Sequence, residues 1–263
     1  MNLTERKMVD LLKTVRDSGA VSVKAEFEAE GTRMDELLRL VDMARAANLK
    51  LTVKIGGCEA IRDLLEAKQI GVDYIVAPMV ETPYALSKFV GAVALTFNGA
   101  EREDTQFLFN VETITTFENI DSMLEIAKNG KLNGAVFGRV DFSGSLGLSR
   151  DAIESDQLTN YVMETSKKVR DLKLDLVVGG AVSVDAIQNL RLVYESYLTR
   201  FETRKIVFNA SSLENDELRS ALLAAVHFEL LWLQNKRDYY AHITSEDQKR
   251  IEMLENRWNV LNR

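Results

Sequence analysis

The sequence has a single cysteine, Cys58, and only two prolines, Pro78 and Pro83. One cysteine excludes an intrachain disulfide. No apolar run is long enough to span a bilayer. The N-terminal Met-Asn-Leu-Thr-Glu-Arg-Lys starts a helical pattern and lacks the apolar stretch of a signal peptide. No Pro/Ser-rich run, low-complexity tract or block of like charge marks a linker. Acidic residues outnumber basic ones, for a net charge of −7, and the two signs are interspersed. Nucleic-acid binding selects for a basic patch, so this balance argues against it. These absences predict a reduced, soluble, cytoplasmic protein with neither a nucleic-acid nor a membrane partner.

What remains is a chain built to bury a large core, with 46% apolar residues. Its 263 residues are close to the ~250 typical of one (β/α)8 barrel, although length alone also allows two smaller domains. Strand and helix patterns alternate. Short apolar runs read as strands at Ala20–Phe27, Leu49–Ile55, Val72–Ala77, Ala92–Phe97, Thr105–Thr113, Gly134–Ser143, Leu174–Val178 and Lys205–Phe208. Residues 3–17 form an amphipathic helix. Thr82-Pro83 is a helix start, an N-cap followed by proline in the first turn. Thr32 to Asp35 and Ser211 to Glu214 have the form of capping boxes. Eight alternations favour a parallel sheet closed into a TIM barrel over residues 1–213. No dinucleotide or P-loop fingerprint follows the first strand, which weakens an open-sheet alternative. Residues 214–263 read as two further helices joined near His242-Ile243-Thr244-Ser245 and packed on the barrel or on another subunit.

In such a barrel the C-terminal strand ends carry the site. They offer Glu26, Lys54, Glu81, Asn110, Glu112, Asp141, the Gly179-Gly180 turn and Ser211-Ser212. Glu112 and Asp141 end two strands joined by a helix, Thr116 to Asn129, so they share one rim. A pair of carboxylates there suits Mg²⁺ or Mn²⁺. The same pair could instead accept hydrogen bonds from helix N-termini. Lys54 could neutralise a substrate carboxylate or enolate, or form a rim ion pair with Glu26 or Glu28. A Schiff-base role is a third reading, but the surrounding acids would keep the amine protonated. The turn at Gly179-Gly180 and the helix start at Ser211-Ser212 could bind phosphate or be ordinary turn and cap chemistry. Cys58 reads as a packing residue, His227 as a core or interface histidine, and Trp232 and Trp258 as packing for the last helices.

Four segments together resemble the HpcH/HpaI aldolase and citrate lyase β-subunit family, which has a phosphoenolpyruvate/pyruvate-type barrel. They are Val53-Lys54-Ile55-Gly56-Gly57, Gly71 to Thr82, Phe109-Asn110-Val111-Glu112-Thr113 with Asn119-Ile120, and Gly138-Arg139-Val140-Asp141-Phe142-Ser143-Gly144-Ser145-Leu146-Gly147. The resemblance implies a divalent metal held by Glu112 and Asp141, with Lys54, Asn110, Gly138 and Asp141 around a pyruvate-like substrate. It also implies a C-terminal region that packs on a neighbouring subunit of a homo-oligomer. Three positions depart from the family pattern. Lys54 stands where arginine is usual. The loop Glu26-Phe27-Glu28-Ala29-Glu30-Gly31 lacks the aldolase histidine, and Asn110 replaces a glutamine. The expectation is a metal-dependent carbon–carbon lyase or synthase acting on a pyruvate- or oxaloacetate-type oxo-acid. Lys54 would neutralise the enolate, and an acid of the Glu26/Glu28/Glu81 group would move protons. A phosphoenolpyruvate-using transferase on the same barrel is the rival enzyme. A non-catalytic carboxylate-binding barrel is the rival from another class.

Overall fold

The computed structural model describes residues 1–262. Eight strands close into a barrel in chain order. They are β1 (Ala20–Glu26), β2 (Lys50–Lys54), β3 (Tyr74–Ala77), β4 (Gln106–Val111), β5 (Gly134–Gly138), β6 (Asp175–Gly179), β7 (Arg200–Glu202) and β8 (Ile206–Asn209). β1 through β7 are parallel neighbours. Helices cover the outside, so the strands are buried on both faces and read as apolar runs rather than strict alternations. The alternation is visible in β1, where Val23 and Ala25 face the helical shell and the buried polar Ser22, Lys24 and Glu26 occupy the other face. Inside the barrel Tyr74, Val76, Leu108, Val136 and Val177 form a separate apolar cluster. At its lower end the Arg200 guanidinium lies 4.4 Å from the Tyr74 ring centroid and pairs with Asp175 at 2.7 Å.

Several expectations hold in detail. The first helix is Leu3–Asp17. Thr82 caps the helix Pro83–Thr96, its hydroxyl accepting from the Ala85 N–H at 3.2 Å. Others are corrected. Ala92–Phe97 is not a strand. It is the end of the Pro83–Thr96 helix and the residue after it, with Phe89, Ala92, Val93 and Thr96 buried at helical spacing. The eighth strand is instead β7, three residues long with charged ends, too short to show an apolar run. Gly134–Ser143 is strand only to Gly138, and Arg139–Ser145 is a helix. The Thr116–Asn129 segment is two helices, Ile114–Glu118 and Ile120–Asn129, meeting at Asn119. The second helix starts at Met34 after Arg33, and Glu36 closes its first turn by accepting from the Arg33 N–H, so Thr32 is not the cap.

The largest departure is β8, which runs antiparallel to both β7 and β1. Only Thr203-Arg204-Lys205 separates β7 from β8, and three residues make a hairpin turn, not a helical crossover. Ser211 and Ser212 therefore fall at the rim opposite the candidate site, where the Asn209 N–H donates to the Gly19 carbonyl at 2.9 Å. They sit in a 3-10 turn, Ala210–Glu214, capped by Asn209 rather than by a box of their own.

The two C-terminal helices are one, Leu218–Leu261. Thr244 does not cap a second helix, because its hydroxyl donates to the Tyr240 carbonyl one turn back, at 2.9 Å. His227 is exposed, not a core residue. No helix among the described residues is long and apolar enough to cross a membrane.

Candidate active site

The C-terminal rim gathers charges from four strand ends and one hairpin. Lys54, the last residue of β2, places Nζ 2.9 Å from Glu28 Oε2 and 3.7 Å from Glu112 Oε2. Burial alone would lower its pKa, but Glu112, Glu28 and Glu26 outweigh that and raise it. Lys54 is a held ammonium, not a free amine.

Glu112 follows β4 and is buried. One carboxylate oxygen accepts from the Met79 N–H and the other from Asn110 Nδ2, each at 2.7 Å. Met79 adopts the left-handed region, φ 49°, which costs energy in a residue with a side chain and here aims its N–H at the carboxylate. Burial pushes the Glu112 pKa up. Lys54, Met79 and Asn110 pull it down, Asp141 raises it again, and the net direction is up. The Asp141 charge therefore reaches Glu112, although Asp141 is exposed. It lies in the first turn of Arg139–Ser145 rather than at a strand end. Gly138 makes room for Glu112: a Cβ there would stand 3.0 Å from Glu112 Cβ and 3.1 Å from its Oε2. Asn110 Oδ1 is buried without a hydrogen-bond partner.

Glu26, at the end of β1, is buried and pairs with Lys24 Nζ at 3.3 Å, while Arg204 lies 4.0 Å away. Burial would raise its pKa, but Lys24, Lys54 and Arg204 hold it below the usual carboxylate range. Glu81 is not drawn into this cluster. It is half-buried, its carbonyl accepts from Asn119 Nδ2 at 3.2 Å, and no ion pair joins its carboxylate to another described residue.

Sequence reading passed over the cations beneath and beside these acids. Lys24 is buried, with Nζ 2.5 Å from Glu202 Oε1. Burial would lower its pKa, yet Glu202 and Glu26 raise it far above the ordinary lysine value. Lys205, from the β7–β8 hairpin, pairs with Glu30, and burial lowers its pKa despite that partner. The signal for Lys24 was its position two residues before Glu26 on one strand face. Glu202 and Lys205 could not be placed while β7 was unrecognised. Arg139 is also buried and donates to the Gly179 and Gly180 carbonyls at 3.3 and 2.8 Å. A Cβ on Gly180, φ 88°, would meet the Arg139 backbone N at 2.8 Å, so this turn is shaped by packing against Arg139. Cys58 is half-buried against the core, and burial raises its thiol pKa, which disfavours the thiolate.

Barrel enzymes carry their active sites at the C-terminal rim, and here that rim sets a lysine against facing carboxylates. The chain belongs to the HpcH/HpaI aldolase/citrate lyase family, whose sequence profile matches residues 16–189. It is accordingly an aldolase/citrate lyase-like enzyme of carbon–carbon bond chemistry. The match ends before β7 and the reversed β8. Among solved structures, the HpcH/HpaI aldolase of Desulfitobacterium hafniense DCB-2 is similar at TM-score 0.59 and 14% identity, over 81% of this chain and 86% of that one. The citrate synthase SbnG is similar at TM-score 0.62 and 17% identity, over 83% and 89%. An HpcH/HpaI aldolase/citrate lyase family protein of Burkholderia cenocepacia J2315 is similar at TM-score 0.62 and 14% identity, over 82% and 90%. At these identities the likeness carries the fold alone. No curated protein matches the sequence.

Proposed function

We propose that this enzyme makes or breaks a carbon–carbon bond next to the keto group of a pyruvate- or oxaloacetate-type oxo-acid, with Glu112 and Asp141 holding a divalent cation, Mg²⁺ or Mn²⁺. The observation that carries this reading is Glu112. It is a buried rim carboxylate whose nearest ammonium, Lys54 Nζ, stands 3.7 Å away, beyond hydrogen-bond distance, and burial raises its pKa. The donor set fits a hard cation: two carboxylates, one held in orientation by the Met79 N–H and Asn110. Among the described residues no group of three His, Cys, Asp or Glu side chains forms a protein-only cage. Water and substrate oxygens would complete the shell. When bound, the cation supplies Lewis-acid polarisation of the substrate's oxygens.

The chain's own residues do the rest. As the carbon–carbon bond breaks, its electron pair moves toward the keto oxygen, and the Lys54 ammonium is placed to balance the charge that develops there. Asn110 Oδ1, buried and unpartnered, offers an acceptor to a substrate or water hydroxyl. Glu28 touches Lys54, which supports it as the carboxylate that takes a proton, and Glu26 is ionised nearby but a weaker base because its pKa is lowered. Glu81 is the weaker candidate, since no contact ties its carboxylate to Lys54.

Two reactions test the proposal without knowledge of the physiological electrophile. With Mg²⁺ or Mn²⁺ present, the enzyme should decarboxylate oxaloacetate, which forms the pyruvate enolate without a base. It should also exchange the methyl protons of pyruvate in D₂O, followed by NMR. Absence of both would refute the enolate reading. Phosphate release from phosphoenolpyruvate with an aldehyde or sugar acceptor would favour the transferase instead.

A further inference from the structure

Three residues, Thr203-Arg204-Lys205, join β7 to β8 at the rim that carries the candidate site. The turn is closed at its base. The Thr203 N–H donates to the Ile206 carbonyl at 2.9 Å, and the Thr203 hydroxyl accepts from the Ile206 N–H at 3.1 Å. The Lys24 N–H donates to the Lys205 carbonyl at 2.8 Å, which ties the turn to β1. Lys205 is buried, 3% exposed, with Glu30 as its partner. Arg204, next to it, is 53% exposed. Its Nε donates to Glu30 Oε1 at 3.1 Å, and among the described residues its side chain makes no other hydrogen bond. Nη2 stands 4.0 Å from Glu26 Oε2, beyond hydrogen-bond distance. The guanidinium is thus anchored at its stem, while both terminal nitrogens stay free beside a residue of the site.

We propose that Arg204 is a specificity-determining residue, whose two terminal nitrogens take a carboxylate on the part of the substrate remote from the pyruvate unit. The inference rests on the oxo-acid reading above and adds the class of the electrophile, an aldehyde or keto acid that carries its own carboxylate. The order of residues around the rim supports it. Lys54 on β2 is the cross-strand partner of Glu26, and β8 flanks β1 on the other side. Lys54 and Arg204 therefore stand to either side of Glu26, and both act on its charge. Neighbouring strands lie about 4.8 Å apart, so these two cations rise from parts of the wall roughly 10 Å apart. A ligand whose keto oxygen meets Lys54 reaches Arg204 through a few further carbon atoms. The paired N–H groups at the end of a guanidinium match a carboxylate with two parallel hydrogen bonds. A phosphate fits less well, because Glu26, Glu28 and Glu30 lie on this side of the rim and would repel its second charge. The ion pair with Glu30 does not account for the residue, since a pair made by a half-exposed side chain is screened by water and worth little. Arg204 also lies beyond the family match, which ends at residue 189, on the reversed strand pair that closes this barrel.

The test is aldol addition of pyruvate to paired aldehydes, with Mg²⁺ present, in the native chain, Arg204→Gln and Arg204→Lys. Glyoxylate and succinic semialdehyde carry the carboxylate, acetaldehyde and butyraldehyde are their neutral counterparts, and glycolaldehyde phosphate carries a phosphate. The native chain should prefer the carboxylate-bearing member of each pair. In Arg204→Gln that preference, the ratio of the two kcat/KM values, should fall by about tenfold to a hundredfold, with the loss in KM. Arg204→Lys, which keeps the charge but not the fork, should retain part of it. A loosened hairpin or an altered Glu26 would slow both members of a pair alike and leave the ratio in place. Exchange of the pyruvate methyl protons in the native chain, run alongside, separates the two readings. No exchange overturns the enolate reading and this inference with it. Exchange overturns this inference alone if the native chain does not prefer the carboxylate-bearing aldehydes, if it prefers the phosphate, or if Arg204→Gln keeps the native ratio.

Discussion

Lys54→Met is expected to lower turnover of an oxaloacetate- or pyruvate-type substrate by about 10²–10³-fold, the usual cost of removing one preorganised group that meets developing negative charge. Affinity for a divalent cation should be unchanged or tighter. Lys54 Nζ stands 3.7 Å from Glu112 Oε2, so its removal leaves the carboxylate more negative. The two readouts separate a group acting on the substrate from a mere rim ion pair, which would leave turnover nearly intact. A Schiff base is disfavoured by the same geometry, because three glutamates keep the amine protonated. Lys54→Arg should recover part of the rate, since a guanidinium keeps the charge but delivers it in a planar fork. Steady-state decarboxylation of oxaloacetate, with kcat and KM determined separately, checks all three statements.

Lys24→Met should destabilise the fold by about 3–5 kcal/mol, read from urea unfolding. Lys24 is buried and has two acidic partners, Glu202 at 2.5 Å and Glu26 at 3.3 Å. Removing it takes the close cation from both carboxylates and leaves Glu26 only the more distant Lys54 and Arg204. Lys24→Met/Glu202→Gln should regain a substantial part of the loss, because one uncompensated charge goes with it. Glu26 also sets an acid limit. Its pKa is lowered in the folded chain, so the stability it contributes is in place above the unfolded carboxylate value of about 4.3. That contribution is lost as pH falls through the folded-state value. In Lys24→Met the main pull on Glu26 is gone, so its contribution shrinks and is exhausted at a higher pH.

The barrel was legible because its strands are buried on both faces and its helices are amphipathic. Two elements escaped. Ala92–Phe97 is as apolar as a strand, and only the buried spacing of Phe89, Ala92, Val93 and Thr96 shows it to be helix. β7 carries Arg200 and Glu202 into the barrel interior, so it lacks the apolar signature of a strand altogether. Missing it hid the hairpin, and with the hairpin the reversal of β8 that carries Ser211-Ser212 to the far rim. At the site, Lys54, Glu112 and Gly138 could be placed from strand ends. The pairing of the other buried cations could not: Lys24 meets Glu202, and Lys205 meets Glu30, each more than a hundred residues away. Pattern reading also split the last helix at His242-Ile243-Thr244-Ser245. Threonine and serine there resemble a cap, yet the Thr244 hydroxyl folds back onto its own helix.

The most direct test of the metal assignment is a Mn²⁺ titration of the native chain, Glu112→Gln and Asp141→Asn, followed by paramagnetic resonance, with thermal unfolding run alongside. The account predicts one tight site in the native chain, lost in Glu112→Gln and at least strongly weakened in Asp141→Asn, with both variants folded. Full Mn²⁺ affinity in both variants would contradict it.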